Sequence, residues 1–199
     1  MNTAYTTAFF PFWKALASAG QHISKPKILS AQPYVSPRGH SLSPAQAEAR
    51  RMAYALKQPT PEVAEQAARE LAPLLLAAEQ SPRVFVLMPV PASTGSTQSN
   101  QIIAAALAAE LRRHGRRAQV KVTVGRRHPV ESSCTRRRRG GRGLPLAQHA
   151  IIPVTNSAKI PAAAYYFVDN MATEGTTLQA CHQALGYGNA IVYANKHHQ

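Results

Sequence analysis

A single aspartate stands between an apolar run and a loop rich in hydroxyl groups. The run AAYYFV, residues 163 to 168, is followed by Asp169 and Asn170, and the loop ATEGTT covers residues 172 to 177. Asp169 is the only aspartate among the 199 residues. A strand that ends here would aim both polar side chains into a crevice, where they can hydrogen-bond hydroxyl groups. The spacing therefore indicates a polar site at the end of a buried strand.

The loop after Asp169 has the features of an anion site. Gly175 permits a positive φ or a close backbone approach, and a helical pattern begins directly after it. The first N–H groups of a helix bind anions, and the hydroxyl groups of Thr173, Thr176 and Thr177 add donors. An acid beside such a loop suits sugar hydroxyls or a metal ion, so a sugar phosphate would use both features. An ordinary strand–turn–helix is the alternative.

A second polar loop follows an earlier apolar run. Residues 84 to 88, VFVLM, have the pattern of a strand buried on both faces, and PASTGSTQSN comes after them. Ser93 and Thr94 offer N–H and hydroxyl groups to a ligand, or they act only as helix caps. Ser99 or Asn100 is the expected N-cap of the helix that begins with IIAAALAAEL.

The elements that carry these loops alternate between strands and helices. The second half of the chain reads strand, helix, strand, long loop, strand, helix, strand, which predicts an α/β fold with a parallel sheet covered by helices. Ligands of such sheets bind at the carboxyl ends of the strands, where both polar loops lie. The expected strands cover residues 84–88, 118–124, 151–154, 163–168 and 189–194.

The first part of the chain has a different pattern. Residues 1–80 are interpreted as an N-terminal helical segment, of which residues 1–42 are irregular. Ser43 and Thr60 are expected N-caps because each is followed by proline, a residue that suits the first helical position. The α/β core is expected to cover residues 81–199.

The positive charge of the chain is concentrated in one segment. The formal net charge is +14, and 12 of the 23 Lys and Arg residues lie between residues 112 and 142, against one acid, Glu131. Such a segment is a solvated surface, a nucleic-acid contact or a catalytic loop, and the sequence leaves these three open. The twelve residues are Arg112, Arg113, Arg116, Arg117, Lys121, Arg126, Arg127, Arg136, Arg137, Arg138, Arg139 and Arg142.

The composition narrows the class of protein. At 45% hydrophobic and 16% charged residues the chain is globular in composition. Cys134 and Cys181 form no pairing pattern, which fits a reducing compartment and predicts no metal site. The N-terminus lacks a secretory pattern and no run approaches the ~20 apolar residues of a membrane span, so a soluble, cytoplasmic protein without membrane contact is predicted. The aromatic cluster at residues 9–13 is expected to pack on the core or on a second subunit.

The stretch FVDNMATEGTTL resembles the signature of the type I phosphoribosyltransferases over its full length. The resemblance implies a doubly wound, Rossmann-like core in which the loop binds the 5′-phosphate of phosphoribosyl pyrophosphate. It implies further that Asp169 and Asn170 bind the ribose hydroxyls, with Mg²⁺ as cofactor and Asp169 as its ligand. The residues implied for phosphate binding are Thr173, Glu174, Gly175, Thr176 and Thr177.

Two further segments resemble parts of the same family. PVPASTG is similar to the pyrophosphate-binding loop, which implies binding roles for Ser93, Thr94 and Gly95. The Asn-Gln pair at 100–101 resembles the competence-associated ComF branch. The basic loop 125–148 occupies the place of the mobile loop that closes over pyrophosphate in the family. The resemblance implies that role for Arg126, Arg127 and Arg136, with Arg136 counted among the catalytic residues.

The signature departs from the family pattern at Asn170, where a second acid is usual, and at Glu174, where a small residue is usual. Asn170 brings no charge for a metal, and Glu174 must point away from a bound phosphate. Thr173 occupies a position that is an aspartate base in some purine-using members, so no such base is assigned.

The main expectation is an enzyme that transfers the phosphoribosyl group from phosphoribosyl pyrophosphate to a nitrogen nucleophile and releases pyrophosphate. The resemblance implies that residues 1–80 supply the hood that binds the nucleophile. A homodimer is an option, since dimers are common in the family, and the sequence leaves the oligomeric state open. The alternative is a non-catalytic relative that binds a nucleotide in the same pocket and nucleic acid through residues 112–142. An interaction protein with an inactive pocket is a third option.

Overall fold

The computed structural model describes residues 25–35, 41–154 and 159–196. Within these residues the chain forms seven strands, and five of them make one parallel sheet in the order β1-β7-β6-β2-β3. The remaining two, β4 and β5, form an antiparallel pair. The strands are β1 Ile28–Pro33, β2 Val84–Pro89, β3 Ala118–Val120, β4 Val124–Arg126, β5 Ile151–Pro153, β6 Ala163–Ala172 and β7 Asn189–Asn195.

Helices connect the strands, and their caps follow from the sequence. Ser43 accepts a hydrogen bond from the backbone N–H of Gln46 and forms a capping box with it, and Thr60 accepts from the N–H of Val63. Both predicted caps are therefore confirmed. The α-helices are α1 Pro44–Ala55, α2 Pro61–Ala78, α3 Gln98–Arg113, α4 Ser133–Arg138 and α5 Thr176–Leu185, and a 3₁₀ helix covers Leu146–His149.

The sheet is buried on both faces. In β2, Phe85 and Leu87 belong to the core on one face, and Val86 and Met88 to the core on the other. This arrangement confirms the predicted doubly buried strand and the α/β class with a parallel sheet, because parallel sheets are normally covered on both sides. The first core contains Leu56, which directly follows α1, together with Leu71 of α2 and Leu107 of α3. The second core contains Leu178 and Cys181 of α5 with Val124 of β4.

The register between β2 and β6 decides where the polar loops meet. Pro89, the last residue of β2, pairs with Val168, the residue before Asp169. The N–H of Val90 then donates to the carbonyl oxygen of Val168, with an N···O distance of 3.0 Å that is typical of a ladder hydrogen bond. The loop after β2 therefore begins beside Asp169 at the carboxyl edge of the sheet. The strand β6 itself does not end at residue 168 as predicted, because it continues along β7 to Ala172.

Three elements differ from the sequence prediction. The irregular segment 1–42 contains β1, an edge strand held by its ladder to β7 rather than by an alternating pattern. The predicted strand 118–124 is divided: β3 joins the sheet, and β4 turns away to pair with β5. The α3 helix begins after Thr97, so neither Ser99 nor Asn100 is its cap.

The long basic loop also has more structure than expected. Residues 125–148 include the end of β4, the short helix α4 capped by Ser132, and most of the 3₁₀ helix. The aromatic cluster at residues 9–13 lies outside the described residues. Among the helices of the described ranges, none combines the length and apolar content needed to cross a membrane.

Candidate functional site

A crevice of about 410 Å³ lies at the carboxyl edge of the sheet, between the loops that follow β2 and β6. Asp169 lies on its β6 side and Ser93 on its β2 side. The N-terminus of α5 contributes Thr176, and β4 contributes Arg126. Lys57, just after α1, lies on the same wall, so the N-terminal helices also take part in the crevice.

Asp169 is half-buried at the centre of this crevice. Its Oδ1 accepts hydrogen bonds from the side-chain amide of Asn100 at 3.1 Å and from the backbone N–H of Asn170 at 2.8 Å. Burial raises the pKa of the Asp169 carboxyl to about 6, although these two bonds and the charges of Arg126 and Lys57 favour ionisation. Both bonds end on Oδ1, so Oδ2 is the oxygen that a ligand can use.

Asn100 fixes the orientation of this carboxylate. The residue is 6% exposed, and its Nδ2 donates both to Asp169 and to the carbonyl oxygen of Val90 at 2.8 Å. One amide therefore connects the first turn of α3, the end of β2 and the end of β6. From the sequence, Asn100 has only a family resemblance and a possible capping role. Its contact with Asp169 spans 69 residues and has no local signal in the sequence.

Asn170 lies on the crevice wall, but its amide group is engaged elsewhere. Its Nδ2 donates to the carbonyl oxygen of Ala53 in α1 at 2.9 Å. The side chain thus ties β6 to the N-terminal helices, and only its Oδ1 remains to accept a bond from a ligand hydroxyl. The two residues predicted to bind ribose both lie at the crevice. Oδ2 of Asp169 is available to a ligand, whereas the amide nitrogen of Asn170 is directed toward α1.

The loop before α5 has the geometry of an anion cradle. Gly175 has a φ of +69°, in the left-handed region, and a Cβ there would lie 3.1 Å from Cδ1 of Ile28. This backbone turn starts α5 without a side-chain cap, so the first N–H groups of the helix have no capping acceptor. Thr173, Thr176 and Thr177 line the crevice around them. The loop therefore presents N–H and hydroxyl donors to one volume.

Glu174 points away from this cradle, toward the basic loop. Its Oε1 forms an ion pair of 2.7 Å with Nη2 of Arg137, which also donates to the hydroxyl oxygen of Thr173 at 3.2 Å. Gly143 lies against the same carboxylate, since a Cβ there would come within 2.5 Å of Glu174 Oε2. The side chain that seemed unsuited to a phosphate loop therefore holds the basic loop against it.

Arg126 has a structural position at the base of the crevice. Its Nε donates to the carbonyl oxygen of Ala92 at 2.7 Å, and its Nη1 donates to that of His149. Burial lowers the pKa of this guanidinium, while Cys181 and Asp169 act in the opposite direction. Arginine stays charged under such conditions, so Arg126 places a fixed positive charge near Asp169.

The remaining predicted site residues lie at or beyond the edge of the crevice. Ser93 is on its wall, and Thr94 and Gly95 form the turn behind it, where the N–H of Gly95 donates to Ala92. Arg127 is exposed outside the crevice. Arg136 also lies outside, and its Nε donates to the carbonyl of Arg142 at 3.4 Å. Arg137, rather than the expected Arg136, is the residue of this arginine run that lines the crevice.

Much of the basic segment is tied to local acceptors. Arg112 donates to the carbonyl oxygen of Ala118 at 2.7 Å, and Arg116 to that of Gln80 at 2.6 Å. Arg139, whose side chain is 77% exposed, forms an ion pair of 3.2 Å with Glu131. The twelve Lys and Arg residues of segment 112–142 are therefore not all available to an anionic partner, because several of them bind neighbouring backbone or carboxylate groups.

Within the described part of the chain, two carboxylates line the crevice, Asp169 and Glu131, and Glu131 forms an ion pair with Arg139. The described residues contain no cluster of three or more His, Cys, Asp or Glu side chains suited to a metal. Magnesium commonly keeps several waters and is held by one or two carboxylates together with substrate phosphates. Oδ2 of Asp169 fits that mode, in which the ligand's own oxygens complete the coordination.

No protein-family model matches the chain. No curated protein matches it either. What the crevice can do must therefore be argued from its own residues.

Proposed function

We propose that the chain is a type I phosphoribosyltransferase-like protein that binds phosphoribosyl pyrophosphate, or a nucleotide, in the crevice at the carboxyl edge of the sheet. The observation that carries the proposal is the meeting of three groups in one cavity: the carboxylate of Asp169, the donor-rich start of α5, and the polar loop after β2. A sugar that carries two phosphate groups needs an acceptor for its hydroxyls and a donor set for each phosphate, and the crevice offers all three.

In this proposal the ligand is held by complementary donors and acceptors. The 5′-phosphate lies in the loop before α5, where helix N–H groups and threonine hydroxyls donate to it. The ribose hydroxyls donate to Oδ2 of Asp169. The leaving pyrophosphate lies toward Ser93, where Arg126 is bound to the carbonyl oxygen of Ala92. Arg137 adds positive charge on the cradle side of the crevice, next to Thr173.

The proposed chemistry is transfer of the phosphoribosyl group to a nitrogen nucleophile. The bond from the ribose carbon to pyrophosphate breaks as the bond to nitrogen forms, and the ribose ring carries positive charge during the exchange. The fixed carboxylate of Asp169 stabilises that charge, and the chain contributes mainly position and electrostatics. Mg²⁺, when bound, adds positive charge to the departing pyrophosphate. The nucleophile would enter along the wall that Lys57 and the N-terminal helices provide.

Calorimetric titration with phosphoribosyl pyrophosphate, with and without Mg²⁺, tests this proposal. We expect heat of binding with the native protein and its loss in Asp169→Ala. Glu65→Ala, which removes an exposed acid from α2, is the matched control and should bind as the native protein does. Absence of heat under every condition would refute the proposal. Pyrophosphate release in the presence of a panel of nitrogen bases then distinguishes an enzyme from a binding protein.

A non-catalytic regulator that binds nucleic acid is the second candidate. It is favoured by the exposed positions of Arg112 and Arg113 at the end of α3 and of Arg117 just before β3. The engagement of Asn170 with α1 also favours it. Binding to a single-stranded oligonucleotide should weaken steeply with salt. Replacing residues 136–139 by serine should flatten that dependence, by roughly 0.7 in the logarithmic slope per lost phosphate contact. An unchanged slope would remove that segment from the interface.

A further inference from the structure

His149 is a buried, titratable residue to which the proposed chemistry gives no role. It is 2% exposed and lies on the crevice wall at the end of the 3₁₀ helix. Its Nε2 lies 3.2 Å from the carbonyl oxygen of Leu144, and its Nδ1 lies 3.3 Å from the hydroxyl oxygen of Thr177. One imidazole therefore connects the basic loop directly to a hydroxyl of the anion cradle.

These two contacts determine where the protons are. A carbonyl oxygen only accepts, so the Nε2 of His149 carries a proton and donates to Leu144. In the neutral imidazole Nδ1 is then an acceptor, and the hydroxyl of Thr177 must donate its single proton to it. The oxygen of Thr177 consequently presents lone pairs, not a donor, to the crevice, which is unfavourable for an anion.

Protonation of His149 reverses the second bond. Nδ1–H then donates to the oxygen of Thr177, and the hydroxyl proton is free to turn toward an anion in the cradle. We propose that His149 is a positioning residue that couples the binding of a phosphate group in this cradle to the uptake of one proton, through the hydroxyl of Thr177. This inference rests on the proposed function, because it concerns the same phosphate site.

The surroundings of His149 set the direction of the coupling. Burial lowers the pKa of its imidazole, and the positive charge of Arg126 on β4 acts in the same sense. The free protein therefore holds His149 neutral near neutral pH, in the arrangement that withholds the Thr177 proton. A bound dianion adds negative charge and accepts a hydrogen bond from the hydroxyl of Thr177, so it raises the pKa of His149. By reciprocity, acidification strengthens anion binding.

Other titratable groups near this network must be separated from His149. Arg126 stays charged, and burial raises the pKa of the Cys181 thiol, so neither changes charge in this range. Asp169 does titrate in it, with a pKa of about 6, and its neutralisation would also favour an anion. The variant Asp169→Asn removes that contribution and isolates the one from His149.

Sulfate is the probe, because it mimics a phosphate group while keeping both charges across the whole pH range. Its affinity is measured by calorimetry from about pH 5 to about pH 8, on the native protein and on Asp169→Asn. In the Asp169→Asn protein we expect the affinity to rise by up to about tenfold per pH unit as pH falls through the range between the free and bound pKa values. His149→Gln and Thr177→Val in that background should bind sulfate with affinity independent of pH, whereas Thr177→Ser should retain the dependence.

Nuclear magnetic resonance of the native protein gives a second measurement that needs no variant to fold. Saturating sulfate should raise the pKa of the imidazole assigned to His149. The ring resonances of His182, whose Nδ1 lies 2.7 Å from the carbonyl oxygen of Gly188, are the internal reference and should not shift when sulfate is added. An unchanged pKa of His149, or a pH dependence retained in His149→Gln, would overturn the inference while leaving phosphate binding intact. If phosphoribosyl pyrophosphate and sulfate both fail to bind, the proposed function and the inference on His149 are both refuted.

Discussion

Replacing Asp169 by asparagine should stabilise the free protein at neutral and alkaline pH. The substitution keeps the shape of the side chain, and the oxygen of asparagine can still accept from Asn100 and from the N–H of Asn170. What it removes is the ionisation of a group whose folded-state pKa lies near 6, compared with an ordinary value of 3.8. The protein is thus expected to lose stability by keeping this charge in its crevice.

The size of the effect follows from the two pKa values. Because the folded pKa exceeds the unfolded one, the native state binds more protons between them, and the free energy of unfolding falls as pH rises through that interval. A separation of about two pH units corresponds to at most ~3 kcal/mol. Since Asp169 retains contact with water, we expect ~1–2 kcal/mol.

Urea denaturation between about pH 4 and about pH 8 measures this difference. The free energies of unfolding of Asp169→Asn and the native protein should diverge as pH rises, with the variant gaining. Glu48→Gln is the matched control: the ion pair with Arg51 lowers the pKa of Glu48, so its small contribution has the opposite sign. Parallel curves for Asp169→Asn, or a gap that closes with rising pH, would refute the assignment of a half-buried carboxylate with a raised pKa.

Three further substitutions test the crevice. Gly175→Ala should lower the free energy of unfolding by about 1–2 kcal/mol because of its positive φ, and it should also weaken sulfate binding. The control Gly115→Ala, at a φ of +71° away from the crevice, should lower stability in the urea assay and leave sulfate binding in the calorimetric assay unchanged. In Asn100→Ala, the fall in the free energy of unfolding should extend to higher pH than in the native protein, since a donor that lowers the pKa of Asp169 is lost. An unchanged pH profile would argue against that hydrogen bond. Glu174→Gln should change the free energy of unfolding by less than about 1 kcal/mol but increase proteolysis of the basic loop, because Arg137 loses its charged partner. Equal cleavage rates in the variant and the native protein would show that the ion pair does not hold the loop in place.

Local patterns predicted the sheet well, and long-range contacts account for what they missed. The doubly apolar runs of β2 and β6 indicate buried parallel strands on their own. The strand β1 has no such pattern, because it is an edge strand whose place depends on pairing with β7. The positions around the cradle were predictable for a similar reason, because a loop between a parallel strand and the following helix lies at the carboxyl edge of the sheet.

The roles of individual side chains in the crevice were harder to predict. Arg136 and Arg137 are neighbours in a run of four arginines, and only the fold of the short helix α4 decides that Arg137 reaches Thr173 while Arg136 turns to the carbonyl of Arg142. His149 gave no signal at all, since no spacing connects it with Thr177, which lies 28 residues away. Such pairings depend on how two loops meet, and sequence periodicity carries no information about that.

The two departures from the phosphoribosyltransferase pattern change meaning once their partners are known. Asn170 uses its amide to hold α1 against β6, a contact that a carboxylate could not make with the same carbonyl oxygen of Ala53. Glu174 holds Arg137 beside the cradle instead of facing a bound phosphate. Neither residue removes a donor from the phosphate loop or an acceptor from Asp169. Under the proposed function, catalysis would depend on Asp169 and Arg137. A comparison of binding with turnover in variants of those two residues is the measurement on which an enzyme and a binding protein would differ.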